Sequence, residues 1–237
     1  MSGWTGLERN LQEKTRKNVI AGEKLRLKID FHVHTHYSHD SLITPDELVF
    51  YAKKQGLDGV AITDHDRLDG AIKIAEETDF LIIPGIEITS LDGHIAGLGV
   101  QEPIPSRLNA DETVERIHEV GGIAVACHPT AFLKESLGKL TTSRFDAVEV
   151  INASAFPFRY SVRRNQIIAS RLGSARVGGS DAHYGPEIGC AYTLVDAASS
   201  VDDVIKAISK GLCQPLGRAI PLGTRLKREF LILKRNF

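Results

Sequence analysis

The stretch Ile29–Asp40, IDFHVHTHYSHD, places four of the chain's nine histidines within eight positions. Side chains at alternate strand positions share a face, so His32 and His34 form a two-pronged pair, and His36 keeps their parity. Imidazole at every second place makes a poor apolar core, so this strand must hold something other than hydrocarbon. Working outward, TPDELVFYAKKQG reads as a helix with Thr44 as N-cap, Pro45 in the first turn and Gly56 as its stop. GVAITDH is a buried strand and DRLDGAIKIAEET a helix, while LIIPGIEITS and HIAGLGV are strands around a turn at Asp92–Gly93. NADETVERIHEVGG is a helix with acids in its first turn and Gly121 at its end. IAVACHP, AVEVIN and ARVGGSDAH are strands separated by the helical segments AFLKESLGKL and RYSVRRNQIIASRLG, and CAYTLVD with VDDVIKAISKG completes the pattern. Such alternation predicts a parallel sheet covered by helices. About seven units favour a (β/α) barrel over an open doubly wound sheet.

The 237 residues are 42% hydrophobic and 25% charged, with a net charge of -1, which suits one large domain. Near neutrality gives no argument for nucleic acid or membrane. Cys127, Cys190 and Cys213 lie far apart without a CxxC pair, which argues against a secreted disulfide framework. No apolar run is long enough for a membrane span, and the first residues carry no signal-peptide pattern, so a cytoplasmic protein without a membrane partner is expected. Residues 1–24 form a polar extension, expected to be an added helix or a mobile segment. Residues 25–216 are the barrel. Residues 217–237 are a basic tail, expected to dock on the barrel through its FLIL segment.

The polar groups fall at the ends of the proposed strands. His32 and His34 end the first, Asp64 and His65 the second; Glu87 lies in the third; His128 ends IAVACHP, and Asp181 and His183 end ARVGGSDAH. His94 opens its strand and joins the others if that end faces the same mouth. Parallel barrels carry their chemistry at the C-terminal strand ends, and imidazole with carboxylate is the usual ligand set for divalent transition metals. Each residue taken singly is readily structural; their recurrence at equivalent ends points to metal.

The motifs DFHVHTHYSHDS, AITDHD, PGIEIT, HIAGLG, ACHP and GGSDAH resemble, in order, those of the PHP (polymerase and histidinol phosphatase) family, over about Lys28 to Val195. The resemblance implies a distorted (β/α)7 barrel holding two or three divalent ions, with Mn2+, Zn2+ and Fe2+ as candidates, and phosphoester hydrolysis. Carried over, His32, His34, Glu87 and Asp181 would hold a first ion. Glu87, His94 and His128 would hold a second, and Asp40, His65 and His183 a third, with His39 as the alternative to Asp40.

A cluster of this kind acidifies water and clamps phosphoryl oxygens, so no serine or cysteine nucleophile is needed. His36 is a candidate proton donor to the leaving group, Asp64 a candidate orienting or catalytic acid, and Arg159, Arg163 and Arg164 candidate phosphate binders. The expected substrate is a small phosphorylated metabolite; the resemblance adds a nucleotide or nucleoside bisphosphate. The alternatives are 5′-end trimming of single-stranded nucleic acid, for which the basic tail would supply attraction, and a non-catalytic RNA-binding role like that of the ribonuclease P barrel protein. The full ligand set argues against the last.

Overall fold

The computed structural model describes residues 26–132, 134–142 and 144–235; the extension expected over 1–24 lies outside the described residues. Nine strands form one sheet: β1 (Arg26–Val33), β2 (Gly59–Ile62), β3 (Leu81–Thr89), β4 (His94–Leu98), β5 (Ile123–Ala126), β6 (Ala147–Asn152), β7 (Ala175–Gly179), β8 (Ala191–Asp196) and β9 (Cys213–Gly217). Their order is β7-β6-β5-β4-β3-β2-β1-β8-β9. The short strands β2, β5 and β6 are buried along their whole length, as both faces of a helix-covered sheet must be.

Helices α1 (Pro45–Lys54), α2 (Asp69–Glu77), α3 (Ala110–Glu119), α4 (Phe158–Leu172) and α5 (Val201–Ser209) connect strands, and α6 (Leu222–Arg235) follows β9. The punctuation is chemical. Thr44 caps α1 in a reciprocal box with Glu47, Asn109 caps α3, and Gly56 and Gly121 take the positive φ that releases the chain from those two helices.

The sheet nearly closes on itself. The lower half of β1 pairs antiparallel with β8. Its upper end meets the segment after β7: Asp181 N donates to His32 O at 2.7 Å and His34 N to Ala182 O at 3.0 Å. Gly179 is required there, because a Cβ at this position would lie 2.4 Å from His32 Cβ. The barrel departs from seven parallel strands in two ways. β4 runs antiparallel to both neighbours because Ser90–Gly93 makes a tight turn where a helix would otherwise cross over. β8 and β9 add an antiparallel pair on the edge of β1.

The described residues of AFLKESLGKL, expected to be helical, form a loop ending in a one-turn 3-10 helix, Gly138–Leu140. Its backbone partners lie elsewhere: Gly138 N donates to Pro129 O, Glu135 O accepts from His94 N, and the Ser136 hydroxyl donates to the carbonyls of His128 and Ala131. The tail docks through its arginines. Arg225 donates to the carbonyls of Ala153 and Ser154, Arg228 to Glu187, and Arg235 to those of His39 and Ser41. Phe230 and Leu233 of FLIL point to solvent, at 65% and 58% exposure.

Asp30, fully buried, ties the closure together by accepting from Ser180 N (2.8 Å), Gly189 N (2.9 Å) and His32 N (3.3 Å). Burial raises its pKa to about 6 against the opposing pull of those bonds. Asp30→Ala leaves three buried donors unpaired and should cost at least about 3 kcal/mol in urea unfolding. Because the folded pKa lies above the unfolded one, Asp30's protonation contributes stability that is complete below about pH 4 and lost as pH rises through about 6. The variant's penalty should therefore be about 2 kcal/mol larger at pH 4.5 than at pH 7.

Candidate metal centre

All nine residues expected as ligands converge at one end of the barrel. β1 brings His32 and His34, both buried; the following loop brings Asp40; the ends of β2 and β3 bring His65 and Glu87. Reversal of β4 puts His94 opposite Thr89 at the same mouth, the condition its expected role required. His128 follows β5, and Asp181 and His183 follow β7. His128 and Asp181 both hold positive φ, 30° and 55°, a conformation costing about 1–3 kcal/mol each in a residue with a Cβ. Strained backbone at two of the converging positions is what a site held by its surroundings requires.

Glu87 is the hub. Its Oε2 lies 3.3 Å from His32 Nε2, 3.2 Å from His34 Nε2 and 3.3 Å from His65 Nδ1. Its Oε1 lies 3.2 Å from His94 Nδ1 and 3.1 Å from His128 Nε2. Asp181 Oδ1 stands 3.8 Å and 3.5 Å from the same Nε2 atoms of His32 and His34, which are themselves 3.1 Å apart. A third group forms where Asp40 Oδ2 lies 3.0 Å from His183 Nε2 and 3.6 Å from His65 Nε2. His39 is exposed, so Asp40 and not its neighbour enters this group.

These spacings fit cations. Four ligands at 2.0–2.2 Å around one ion stand about 3.3–3.6 Å from each other in a tetrahedron. The His32 and His34 nitrogens stand 3.1 Å from each other and 3.2 to 3.8 Å from the Glu87 and Asp181 oxygens. Asp40 Oδ1 and His128 Nδ1 are buried without partners. Electrostatics agree. Burial pushes Glu87 and Asp181 up, but the imidazoles, with Lys134 beside Asp181, outweigh it and hold both well below the ordinary carboxylate range. Burial opposes protonation of His34, yet Asp181 and Glu87 lift it to about 9. The cluster demands positive charge, which divalent ions held by these residues would supply in place of protons.

The supporting residues were harder to foresee. Glu149, buried on β6, has Oε1 3.1 Å from His32 Nδ1 and Oε2 accepting from His128 N at 2.8 Å and from Asn152 Nδ2 at 2.9 Å. It orients two of the imidazoles at once. A carboxylate inside the apolar strand AVEVIN is the signal that could have pointed to it. The Ser38 hydroxyl lies 3.3 Å from His34 Nδ1 and accepts from His65 N. Lys134, in the loop after His128, bonds Asp181 directly and is 24% exposed.

Other expectations fare differently. Each carboxylate oxygen of Asp64 accepts a bond from Thr35, at 2.6 and 2.7 Å, so it anchors the chain behind His34. His36 is exposed and its ring lies tilted against that of Tyr37, outside the cluster. Arg159 stands exposed on the first turn of α4. Arg163 and Arg164 line two separate cavities on the flank of that helix. Among the described residues, none of the three forms an ion pair or hydrogen bond with the cluster. Cys127 is buried, and burial raises its pKa well above the ordinary thiol value, which suits a structural thiol. No helix among the described residues is long and apolar enough to cross a membrane.

The PHP domain signature matches residues 30–154, and a PHP-associated signature matches residues 160–213. The chain belongs to the PHP family. An uncharacterized protein of Methanocaldococcus jannaschii is 38% identical over 141 residues, which are 54% of this chain and 82% of the relative. A 5′-3′ exoribonuclease of Haemophilus influenzae is 38% identical over 85 residues, 33% of this chain and 31% of the relative. In shape, the PHP chain resembles a two-domain Bacteroides vulgatus protein described as containing a predicted PHP-like metal-dependent phosphoesterase. The TM-score is 0.68 at 19% identity, covering 87% of this chain and 69% of the other.

Proposed function

We propose that this PHP chain is a metal-dependent phosphoesterase acting on a small phosphorylated metabolite, with a nucleotide or nucleoside bisphosphate as the preferred class. The observation that carries the reading is Glu87, whose two oxygens face five imidazole nitrogens contributed by four separate parts of the chain. His32, His34, Glu87 and Asp181 would hold one ion, Glu87, His94 and His128 a second, and Asp40, His65 and His183 a third. When bound, such ions acidify water and neutralise phosphoryl charge. The chain's own residues do the rest. Glu149 holds the His32 ring and the His128 backbone in place, Ser38 steadies His34, and Lys134 offers an ammonium to phosphate oxygens beside Asp181.

The test is elemental analysis of the purified protein, then phosphate release from a panel of phosphoesters after loading with Mn2+, Zn2+ or Fe2+. Turnover that disappears in His32→Ala/His34→Ala together with bound metal is expected. Because His34 is protonated near neutrality, metal uptake at pH 7 should release protons, and affinity should climb as pH rises toward about 9. Metal-loaded protein that releases no phosphate from any ester above the double variant would overturn the reading.

A second reading, trimming of single-stranded nucleic acid from its 5′ end, draws on one observation. Phe132, in the loop that carries Lys134, and Tyr160, at the start of α4, set their rings 5.4 Å apart and are both exposed. Exposed rings beside a phosphate-handling site suit stacked bases. Faster turnover of a 5′-phosphorylated oligonucleotide than of the mononucleotide, lost in Phe132→Ala, would favour it.

A further inference from the structure

A cavity of about 380 Å3 opens on the flank of α4, between that helix and the 3-10 turn Gly138–Leu140. Three cations, Lys139, Arg164 and Arg171, line it, and no carboxylate does. Arg164 and Arg171 are two helical turns apart on α4, so both side chains rise on the face turned toward Lys139. Arg67, Arg116 and Arg144 on the surface each pair with a carboxylate. Among the described residues the three cavity cations make no ion pair and no hydrogen bond. Thr141, in the same wall, has its hydroxyl buried without a partner among the described residues. All three are exposed, so water screens much of their repulsion, but their like charge around one hollow gives it a positive potential that favours an anion.

From this we infer that the α4 flank is a binding site for a phosphate-type oxyanion, separate from the metal centre and built without any of its residues. The guanidinium groups of Arg164 and Arg171 supply paired donors, and the Lys139 ammonium supplies a point charge. The volume exceeds one oxyanion and admits the group that bears it. The bearer is either a separate phosphorylated ligand or a further phosphate of a substrate held at the mouth, since Thr130 of this wall follows His128 by two residues.

The test is an NMR titration of the full chain with sulfate, an oxyanion that is neither substrate nor product, at constant ionic strength. The Nε–Hε resonances of Arg164 and Arg171 should shift together and saturate. Lys139→Glu/Arg171→Glu should weaken the remaining Arg164 response by about tenfold or more, with turnover of a small phosphomonoester kept within about twofold. Lys139→Arg/Arg171→Lys, which keeps every charge, should retain binding. Protein stripped by a chelator should bind sulfate on this flank as before, so the site stands or falls apart from the metal reading. A KM that rises in the charge-reversed variant for a 5′-phosphorylated pentanucleotide alone assigns the oxyanion to the substrate. Loss of sulfate binding with neither KM changed assigns it to a separate ligand. Shifts that never saturate, or an Arg164 response of equal affinity in the charge-reversed variant, overturn the proposal.

Discussion

Glu87→Gln is expected to remove most of the bound metal and to lower kcat/KM by at least about a thousandfold, roughly 4 kcal/mol of transition-state stabilisation. Size is preserved, so packing around β3 changes little. What changes is charge and lone pairs. One oxygen becomes an NH2 group, which can only donate toward imidazole nitrogens 3.1–3.3 Å away. In the metal-free variant the imidazoles also lose their central counter-charge, so the pKa of His34 should fall from about 9 toward its ordinary value. The checks are elemental analysis, NMR titration of the imidazoles, and circular dichroism to confirm the fold. Metal content equal to wild type with activity within about tenfold would remove Glu87 from the role proposed for it.

Lys134→Ala should reduce kcat/KM by about ten- to a hundredfold, the worth of one charge-assisted hydrogen bond at about 1.5–3 kcal/mol. The loss should fall mainly on KM and on inhibition by inorganic phosphate, with metal content unchanged. Lys134→Arg should restore part of it, since the charge returns on a wider head group. The geometry behind this is specific: the ammonium bonds Asp181 Oδ2, while Asp181 Oδ1 faces the His32 and His34 nitrogens. An anion arriving at the mouth therefore meets a cation already held at the edge of the cluster. A variant that loses metal at unchanged phosphate affinity would instead make Lys134 a prop for Asp181.

These two residues differ in how visible they were. Glu87 could be found because PGIEIT closes a strand, with His65 just past the end of the strand before it and His94 at the start of the strand after it. Lys134 sits in AFLKESLGKL, which has helical periodicity, and its real conformation is set by carbonyls of His128, Pro129 and Ala131 that no local pattern announces. Arg163 and Arg164 show the converse case, of position rather than chemistry. Their place after a strand suggested the mouth, yet rotation along α4 turns them to its flank. That Asp64, beside His65, takes the Thr35 backbone N–H and hydroxyl is likewise invisible to spacing.

Alternation of side chains along strands, and of strands with helices, determined from the sequence alone that this PHP chain is an α/β barrel with imidazoles and carboxylates at its strand ends. Period and spacing are local properties, written in consecutive residues. Only the tertiary structure decided that β4 turns back to bring His94 to the mouth, that Glu149 reaches His32 across 117 positions, and that the tail docks by arginine with its leucines outward. Those outcomes depend on which distant groups are left needing a partner once the sheet closes, and that need exists only in three dimensions.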